Sequence, residues 1–466
     1  MKRVHLIGIC GTAMATLAAL LKHRGFDVSG SDEKVYPPMS DFLAAEAIPI
    51  REGYSADRID DSLDFVVIGN AISRGNPELE AVLDRKLRHV SLPEALREHF
   101  LWNAKSIVIA GTHGKTTTTA LTGWLLTHGG ADPTVFIGGI APNFGAAGSS
   151  YRIGTPGGPF VIEGDEYDSA FFDKTAKFLK YLPDIAVINN IEFDHADIYA
   201  DLDAVRLAFQ RLVALVPRGG LTLLGIDSPE AAGLSSRVKS RLQTFGTTGQ
   251  ANWGAADLEV DGVRTSFQVR HDGVDAGRFE MALLGAHNVR NALAAIAVGR
   301  ASGLSFDALR AGLASFAGVK RRLEVVGSRR DVVLYDDFAH HPTAVAETLA
   351  ALRAAQPTRR IWAIFEPRSA SSCRRLFQSD FARAFSAADQ VVIASVFRST
   401  LPADERLSED QLVADLTQSG TPAHHLPDVE GIVRFVSHEA RPGDLIVIMS
   451  NGGFGGIHRK LLEALG

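Results

Sequence analysis

Short apolar runs alternate along the chain with stretches of helical periodicity. Val4–Ile7, Phe65–Ile68, Ser106–Ala110, Phe160–Ile162, Ile185–Ile188, Val332–Tyr335, Ile361–Phe365, Val391–Ala394 and Leu445–Met449 are bounded by polar or glycine residues and predict strands buried on both faces. Between them lie segments such as Met14, Leu17, Ala18 and Leu21, spaced i, i+3, i+4, i+7 as on one face of a helix. Strands alternating with helices predict an α/β fold with parallel sheets. Two places break the alternation: Phe100-Leu101-Trp102-Asn103 before a fresh strand, and Phe316-Ala317-Gly318-Val319-Lys320 after a long helix. Three α/β domains are therefore expected, over residues 1–103, 104–318 and 319–466. The segment from about Trp253 to Glu280 carries alternating β residues with Asp261-Gly262 and Asp272-Gly273 turns, which predicts hairpins added to the middle domain.

Composition narrows the partners. A chain of 466 residues with 46% hydrophobic and 22% charged residues is an ordinary globular protein of several cores. Its formal charge of -6 provides no basic field for nucleic acid or an anionic membrane, so anionic ligands must be bound locally. Two cysteines, Cys10 and Cys373, cannot build a disulfide framework and lack metal-site spacing. The start resembles a signal peptide, but Val4 to Leu21 divides into a strand and an amphipathic helix and contains His5 and two glycines. No window has the apolar length of a membrane span. The expectation is a cytoplasmic protein.

The strongest chemical signal is Ser106-Ile107-Val108-Ile109-Ala110-Gly111-Thr112-His113-Gly114-Lys115-Thr116-Thr117, a strand, a tight glycine loop and then a helix that ends at Gly129-Gly130. This is the shorter G-T-x-G-K-T form of a phosphate loop, with Ile109 in place of the usual first glycine. The loop backbone and helix N-terminus suit a polyphosphate, Lys115 reaches the γ-phosphate, and the Thr116 hydroxyl suits Mg²⁺. A P-loop ATPase-like middle domain follows.

Two acidic strand ends sit in the same domain: Glu163-Gly164-Asp165-Glu166-Tyr167-Asp168, and Asn189-Asn190-Ile191-Glu192-Phe193-Asp194-His195. Ligands bind at the carboxyl ends of parallel strands, so a carboxylate and an imidazole arriving there suit a metal bridging nucleotide and substrate. Imidazole is an uncommon Mg²⁺ ligand, which leaves Mn²⁺ open. Near the N-terminus, Gly8-Ile9-Cys10-Gly11-Thr12 opens a helix after a strand, and Asp32 ends the next predicted strand, Phe26–Ser29. The layout is Rossmann-like, but Cys10 and Ala13 replace two glycines of G-x-G-x-x-G, so a dinucleotide and a nucleotide diphosphate fit equally.

Together these blocks resemble the ATP-dependent Mur ligases of peptidoglycan synthesis over essentially the whole chain. The resemblance is carried by the Gly8 loop with Gly30-Ser31-Asp32, by Gly111–Thr117, Glu163, Asn190-Ile191 and Asp194-His195, by Gly285-Ala286-His287-Asn288 and Arg321-Arg322-Leu323-Glu324, and by Asp336-Asp337-Phe338-Ala339-His340-His341-Pro342. It implies a Rossmann-like N-terminal domain for a UDP-sugar, a central ATP-binding domain and a C-terminal Rossmann-like domain that contacts ATP and peptide. It further implies that ATP is held by Gly111, Thr112, His113, Gly114, Lys115, Thr116 and Thr117, its adenine by His287 and Asn288, its phosphates by Arg322, and its ribose or metal shell by Asp337. Thr116, Glu163 and His195 would ligate Mg²⁺. Gly8, Cys10, Gly11, Thr12, Ser31, Asp32, Asn70, Ala71 and Ile72 would hold the UDP moiety. His340-His341 looks metal-like, but adjacent histidines point in different directions, and capping or packing before Pro342 is the expected role.

Within the family, Val35-Tyr36-Pro37-Pro38-Met39-Ser40, Glu163–Lys174 and Glu366-Pro367-Arg368-Ser369 are similar to the branch that joins UDP-N-acetylmuramate to the recovered tripeptide L-alanyl-γ-D-glutamyl-meso-diaminopimelate in cell-wall recycling. The de novo L-alanine-adding branch is the alternative. Gln210 stands where several siblings carry a carbamylated lysine. Arg368, after a strand, is expected to meet a tripeptide carboxylate. Two rival classes remain. An NAD-dependent oxidoreductase would leave Gly111–Thr117 without a task, and a non-enzymatic nucleotide switch would not need three α/β domains.

Overall fold

The computed structural model describes residues 1–35, 39–145, 148–397 and 401–466; of the Val35–Ser40 block, Tyr36, Pro37 and Pro38 lie outside them. The fold is α/β, with three main sheets. The first is fully parallel, in the spatial order Ile50–Glu52, Asp27–Asp32, Arg3–Ile7, Phe65–Ile68, His89–Ser91. Strand order reverses about Arg3–Ile7, so a crevice opens at its carboxyl end, where Gly8–Gly11 lead into the helix Thr12–His23. Val4 to Leu21 is thus a strand and a helix, as its periodicity predicts. The second strand runs to Asp32 rather than stopping at Ser29, because Gly30 and Ser31 keep pairing with Leu6 and Ile7.

The second sheet has ten strands. Its parallel centre places Lys105–Ala110 between Ile185–Ile188 and Pro159–Gly164. Ala110 pairs with both Ile188 and Gly164, so the phosphate loop and both acidic segments leave the sheet at one edge. Trp253–Asp261, Arg264–His271 and Val274–Met281 extend this sheet as antiparallel hairpins. Their turns need the left-handed backbone found at Gly262 and Gly273. The third sheet runs Glu324–Arg329, Val332–Asp337, Leu445–Met449, Ile361–Phe365, Gln390–Ile393, Ala423–His425, with only the first pair antiparallel.

Ile361–Phe365 and Leu445–Met449 are buried along their whole length, as two-sided coverage by helices requires. Asp444, beside the latter strand, accepts from Arg360 Nε and Nη2 (3.0 and 2.6 Å), Trp362 Nε1 (2.9 Å) and the Arg441 amide (2.9 Å). A buried carboxylate is tolerated only with such partners. Among the described residues no helix is long and apolar enough to cross a membrane.

Candidate active site

The loop Gly111–Gly114 is shaped by its neighbours. Gly111 has φ +137° and Gly114 +79°. A Cβ on Gly111 would lie 3.0 Å from Asn189 Cβ, and one on Gly114 2.5 Å from Asn291 Oδ1, so only glycine leaves the loop this close to its braces. The Thr112 amide donates to the Asn190 carbonyl (3.1 Å) and the His113 amide to Asn190 Oδ1 (2.8 Å). Asn189 Nδ2 reaches Thr118 Oγ1 (3.0 Å), which in turn donates to Asn291 Oδ1 (3.1 Å). The helix Lys115–His128 begins without a side-chain cap, leaving its first amides free for an anion.

Lys115 is clamped: its ammonium donates to the Gly111 and Thr112 carbonyls (2.7 and 3.2 Å) and to Glu166 Oε2 and Oε1 (2.8 and 3.1 Å). Burial alone would lower its pKa, but Glu166, Asp165 and Glu163 outweigh that and raise it. Glu166 also faces His195 Nε2 at 3.2 Å. Burial lowers the His195 pKa, and the carboxylates of Glu166 and Asp194 reverse the sign, so it is raised. Three groups of one domain thus form a cation–anion–cation chain.

Beside it, Thr116 Oγ1 donates to Glu163 Oε1 (2.7 Å), and Glu163 Oε2 accepts from the Gly138 amide (2.6 Å). Burial and the neighbouring Asp165 raise the Glu163 pKa, an electrostatic burden that a hard divalent cation would relieve. Arg322, from the far side of Gly318, brings Nη2 to 3.2 Å from Thr116 Oγ1. Its backbone flanks are left-handed, Arg321 at φ +61° and Leu323 at +51°.

Several expected contacts take a different form. Asp337 is buried, and its two oxygens accept the Leu323 (2.6 Å) and Ala339 (2.7 Å) amides. It holds the segment that carries Arg322. Ser31 is fully buried, with its hydroxyl donated to Glu78, while its carbonyl accepts from the Gly8 (2.8 Å) and Ile9 (3.0 Å) amides. In these contacts it shapes the first loop from behind. Ile72 belongs to an apolar cluster with Ile7, Ile68 and Leu79, against Gly8. His195 pairs with Glu166 here, apart from the Thr116–Glu163 pair. His341 is the N-cap residue before Pro342; its side chain makes no capping bond among the described residues, but it is packed as expected, buried against the Phe377 and His113 rings, with its nitrogens toward Phe193 and Glu192.

The remaining candidates keep positions compatible with ligands. Asp32 Oδ2 accepts the Cys10 amide at 2.8 Å, and burial with the Asp32 charge pushes the Cys10 thiol up to about 11. Gly11 starts its helix without a side-chain cap, Thr12 follows it, and Ala71 is exposed. Asn70 Nδ2 donates to Asp168 Oδ1 (3.2 Å), linking first and second domains. Asn288, next to the half-buried His287, donates to the Leu284 carbonyl (2.8 Å) and accepts from Asn291 (3.1 Å), which ties that helix start to the phosphate loop. Thr117 is buried in the first turn after Lys115. The Arg368 guanidinium sits 3.7 Å from the Phe397 ring centroid and 3.5 Å from Glu366. Gln210 is half-buried on the helix Leu202–Leu215.

Sequence reasoning missed Glu166, Asn189 and Asn291 as members of the site. Glu166 stood inside an acidic run already singled out; Asn291 carried no local signal.

Three family models match the chain: Mur ligase family, catalytic domain, at residues 3–101; Mur ligase middle domain at 109–299; and Mur ligase, glutamate ligase domain, at 321–452. The UDP-N-acetylmuramate–L-alanyl-γ-D-glutamyl-meso-2,6-diaminoheptandioate ligase of Escherichia coli is 41% identical over 99% of this chain and 98% of its own length. The UDP-N-acetylmuramate–L-alanine ligase of Salinibacter ruber is 35% identical over 100% and 95%. A crystal structure of a murein peptide ligase from Psychrobacter arcticus superposes with a TM-score of 0.74 at 36% identity, covering 100% of this chain and 99% of that one.

Proposed function

The chain belongs to the Mur ligase family, and from that premise we propose that it joins the lactoyl carboxylate of UDP-N-acetylmuramate to the amine of L-alanyl-γ-D-glutamyl-meso-diaminopimelate, in murein recycling. It is an ATP-dependent ligase that forms an amide bond. The observation that carries the tripeptide as acceptor is the identity of 40–41% to two tripeptide ligases, against 32–37% to the L-alanine ligases matched.

A carboxylate does not react with an amine until it is activated. Its oxygen attacks the γ-phosphorus of ATP, ADP departs, and the acyl phosphate formed is attacked at its carbonyl carbon by the peptide amine, which loses a proton as phosphate leaves. The task for the protein is to spread and neutralise phosphoryl charge. Lys115 and Arg322 converge on the phosphate loop from two domains, and the loop amides with the uncapped helix start cradle the phosphates. Thr116 and Glu163 fit Mg²⁺, which when bound neutralises phosphate charge. His195, paired with Glu166 here, would complete the set of residues holding the ion, and Lys115, on the other oxygen of Glu166, would serve the γ-phosphate. The UDP diphosphate lies at the helix start after Gly8–Thr12, with Asp32, Asn70 and Ala71 around it. Arg368 receives a carboxylate of the tripeptide.

The test is product formation from ATP, Mg²⁺ and UDP-N-acetylmuramate with either L-alanine or the tripeptide, read by mass spectrometry. The expected product is the UDP-linked tripeptide adduct. Efficient L-alanine addition with none of that adduct would assign the chain to the de novo branch.

A further inference from the structure

Where the second and third domains meet, His113, Glu192 and His341 turn three ligand atoms toward one point, all within 4.8 Å of one another. Glu192 Oε2 lies 3.4 Å from His113 Nε2 and 3.4 Å from His341 Nδ1, and the two imidazole centroids are 4.6 Å apart. The His341 ring is 5% exposed. Its Nε2 lies 3.2 Å from the Phe193 carbonyl, which can only accept, so that nitrogen carries the hydrogen and Nδ1 presents a lone pair. Among the described residues Nδ1 has no hydrogen-bond partner, and it faces a carboxylate oxygen.

We propose that His113, Glu192 and His341 form a site for a transition-metal dication of the Zn²⁺ class, bridging the second and third domains. Bonds of about 2.05 Å in a tetrahedron separate neighbouring ligand atoms by about 3.3 Å, close to both measured separations. Two imidazoles and one carboxylate suit Zn²⁺ or Co²⁺ and not Mg²⁺, which prefers oxygen and water. The outer contacts suit a metal site as well: His341 Nε2 is anchored on a carbonyl, and Thr343 Oγ1 donates to Glu192 Oε2 at 2.6 Å. A cavity of about 410 Å³, lined in part by Glu192, His341, Thr343 and Phe377, leaves room for a water as fourth ligand. None of the three is a proposed Mg²⁺ ligand, and the site does not depend on which peptide the enzyme takes. Because His341 comes from the third domain, an ion here clamps that domain onto the phosphate-loop domain.

The test uses the full-length, untagged protein, stripped of metal and held in excess Mg²⁺ so that the oxygen-rich site is filled, and titrated with Co²⁺. One Co²⁺ per chain is expected, with the intense visible absorption of a four-coordinate ion, displaced by Zn²⁺. His341→Ala and Glu192→Gln are each expected to weaken Co²⁺ binding by at least about tenfold. Absence of Mg²⁺-resistant Co²⁺ binding, or binding unchanged in His341→Ala, overturns the proposal. A second measurement needs no variant: Zn²⁺ is expected to protect His113 and His341, but not the exposed His438, from diethyl pyrocarbonate, read peptide by peptide. His113 is the more exposed of the two, and its modification to the same extent with and without Zn²⁺ overturns the proposal as well.

Discussion

Lys115 carries the largest single share of the proposed chemistry, because a buried ammonium aimed at phosphate is worth far more than one in water. Lys115→Ala is expected to lower turnover on the order of 10²-fold or more while leaving the circular dichroism spectrum intact; near-normal turnover in the folded variant would remove it from the site. Arg368 makes a different kind of contribution. If it binds a tripeptide carboxylate bidentately, Arg368→Lys raises KM for tripeptide and leaves the KM values for ATP and UDP-N-acetylmuramate nearly unchanged, the pattern of a lost ground-state contact. Steady-state kinetics on each substrate distinguish this from a general defect, which would change all three. At this scale residue identity was easier to read than direction. Lys115, Thr116 and Glu163 were legible because a phosphate loop and a strand end dictate where side chains go. The partners that hold Ser31, Asp337 and His341 were not legible, since Glu78, Leu323 and Phe193 are brought to them by the fold.

Elements were legible wherever burial is two-sided. Phe65–Ile68, Ile185–Ile188, Ile361–Phe365 and Leu445–Met449 are strands over the ranges their apolar runs predict. Strand ends were harder: Glu163 lies inside Pro159–Gly164, and Ser31 inside Asp27–Asp32, because pairing with a neighbouring strand continues after the apolar pattern stops. Asp444 shows what supports such an element. Burial would raise its pKa, but Arg360, the Arg441 amide and Trp362 outweigh it, so the pKa is lowered. A lowered carboxylate pKa contributes stability present above the unfolded value and lost as pH falls through the folded one. Asp444→Asn is expected to cost about 1–2 kcal/mol, since it replaces charge-assisted hydrogen bonds from the partly exposed Arg360 by neutral ones. Urea unfolding near neutral pH checks this, and the difference from the parent protein should shrink on acidification.

Across the whole molecule one apolar core runs from the first domain into the second, with Phe100 against Phe160 and Phe42 against Tyr151, while the described contacts of the third domain are more polar. Asn70–Asp168 and Thr16–Ser150 join the first two domains. Arg322–Thr116, Thr343–Glu192 and Arg290–Glu347 join the last two, with the stacked rings of Phe193 and Phe377 as an apolar exception. A polar seam such as that between the last two domains permits motion of the third, and an acyl phosphate must be shielded from water while it exists. Small-angle scattering is expected to show a change in dimensions when an ATP analogue and UDP-N-acetylmuramate are added together; identical curves would contradict closure. The central claim is that ATP activates the lactoyl carboxylate for attack by the tripeptide amine. Its most direct test is to label both carboxylate oxygens of UDP-N-acetylmuramate with ¹⁸O and analyse the phosphate released with tripeptide present. The account predicts one ¹⁸O per phosphate formed, in step with amide product, because the oxygen that attacks phosphorus leaves with it. Unlabelled phosphate would contradict it.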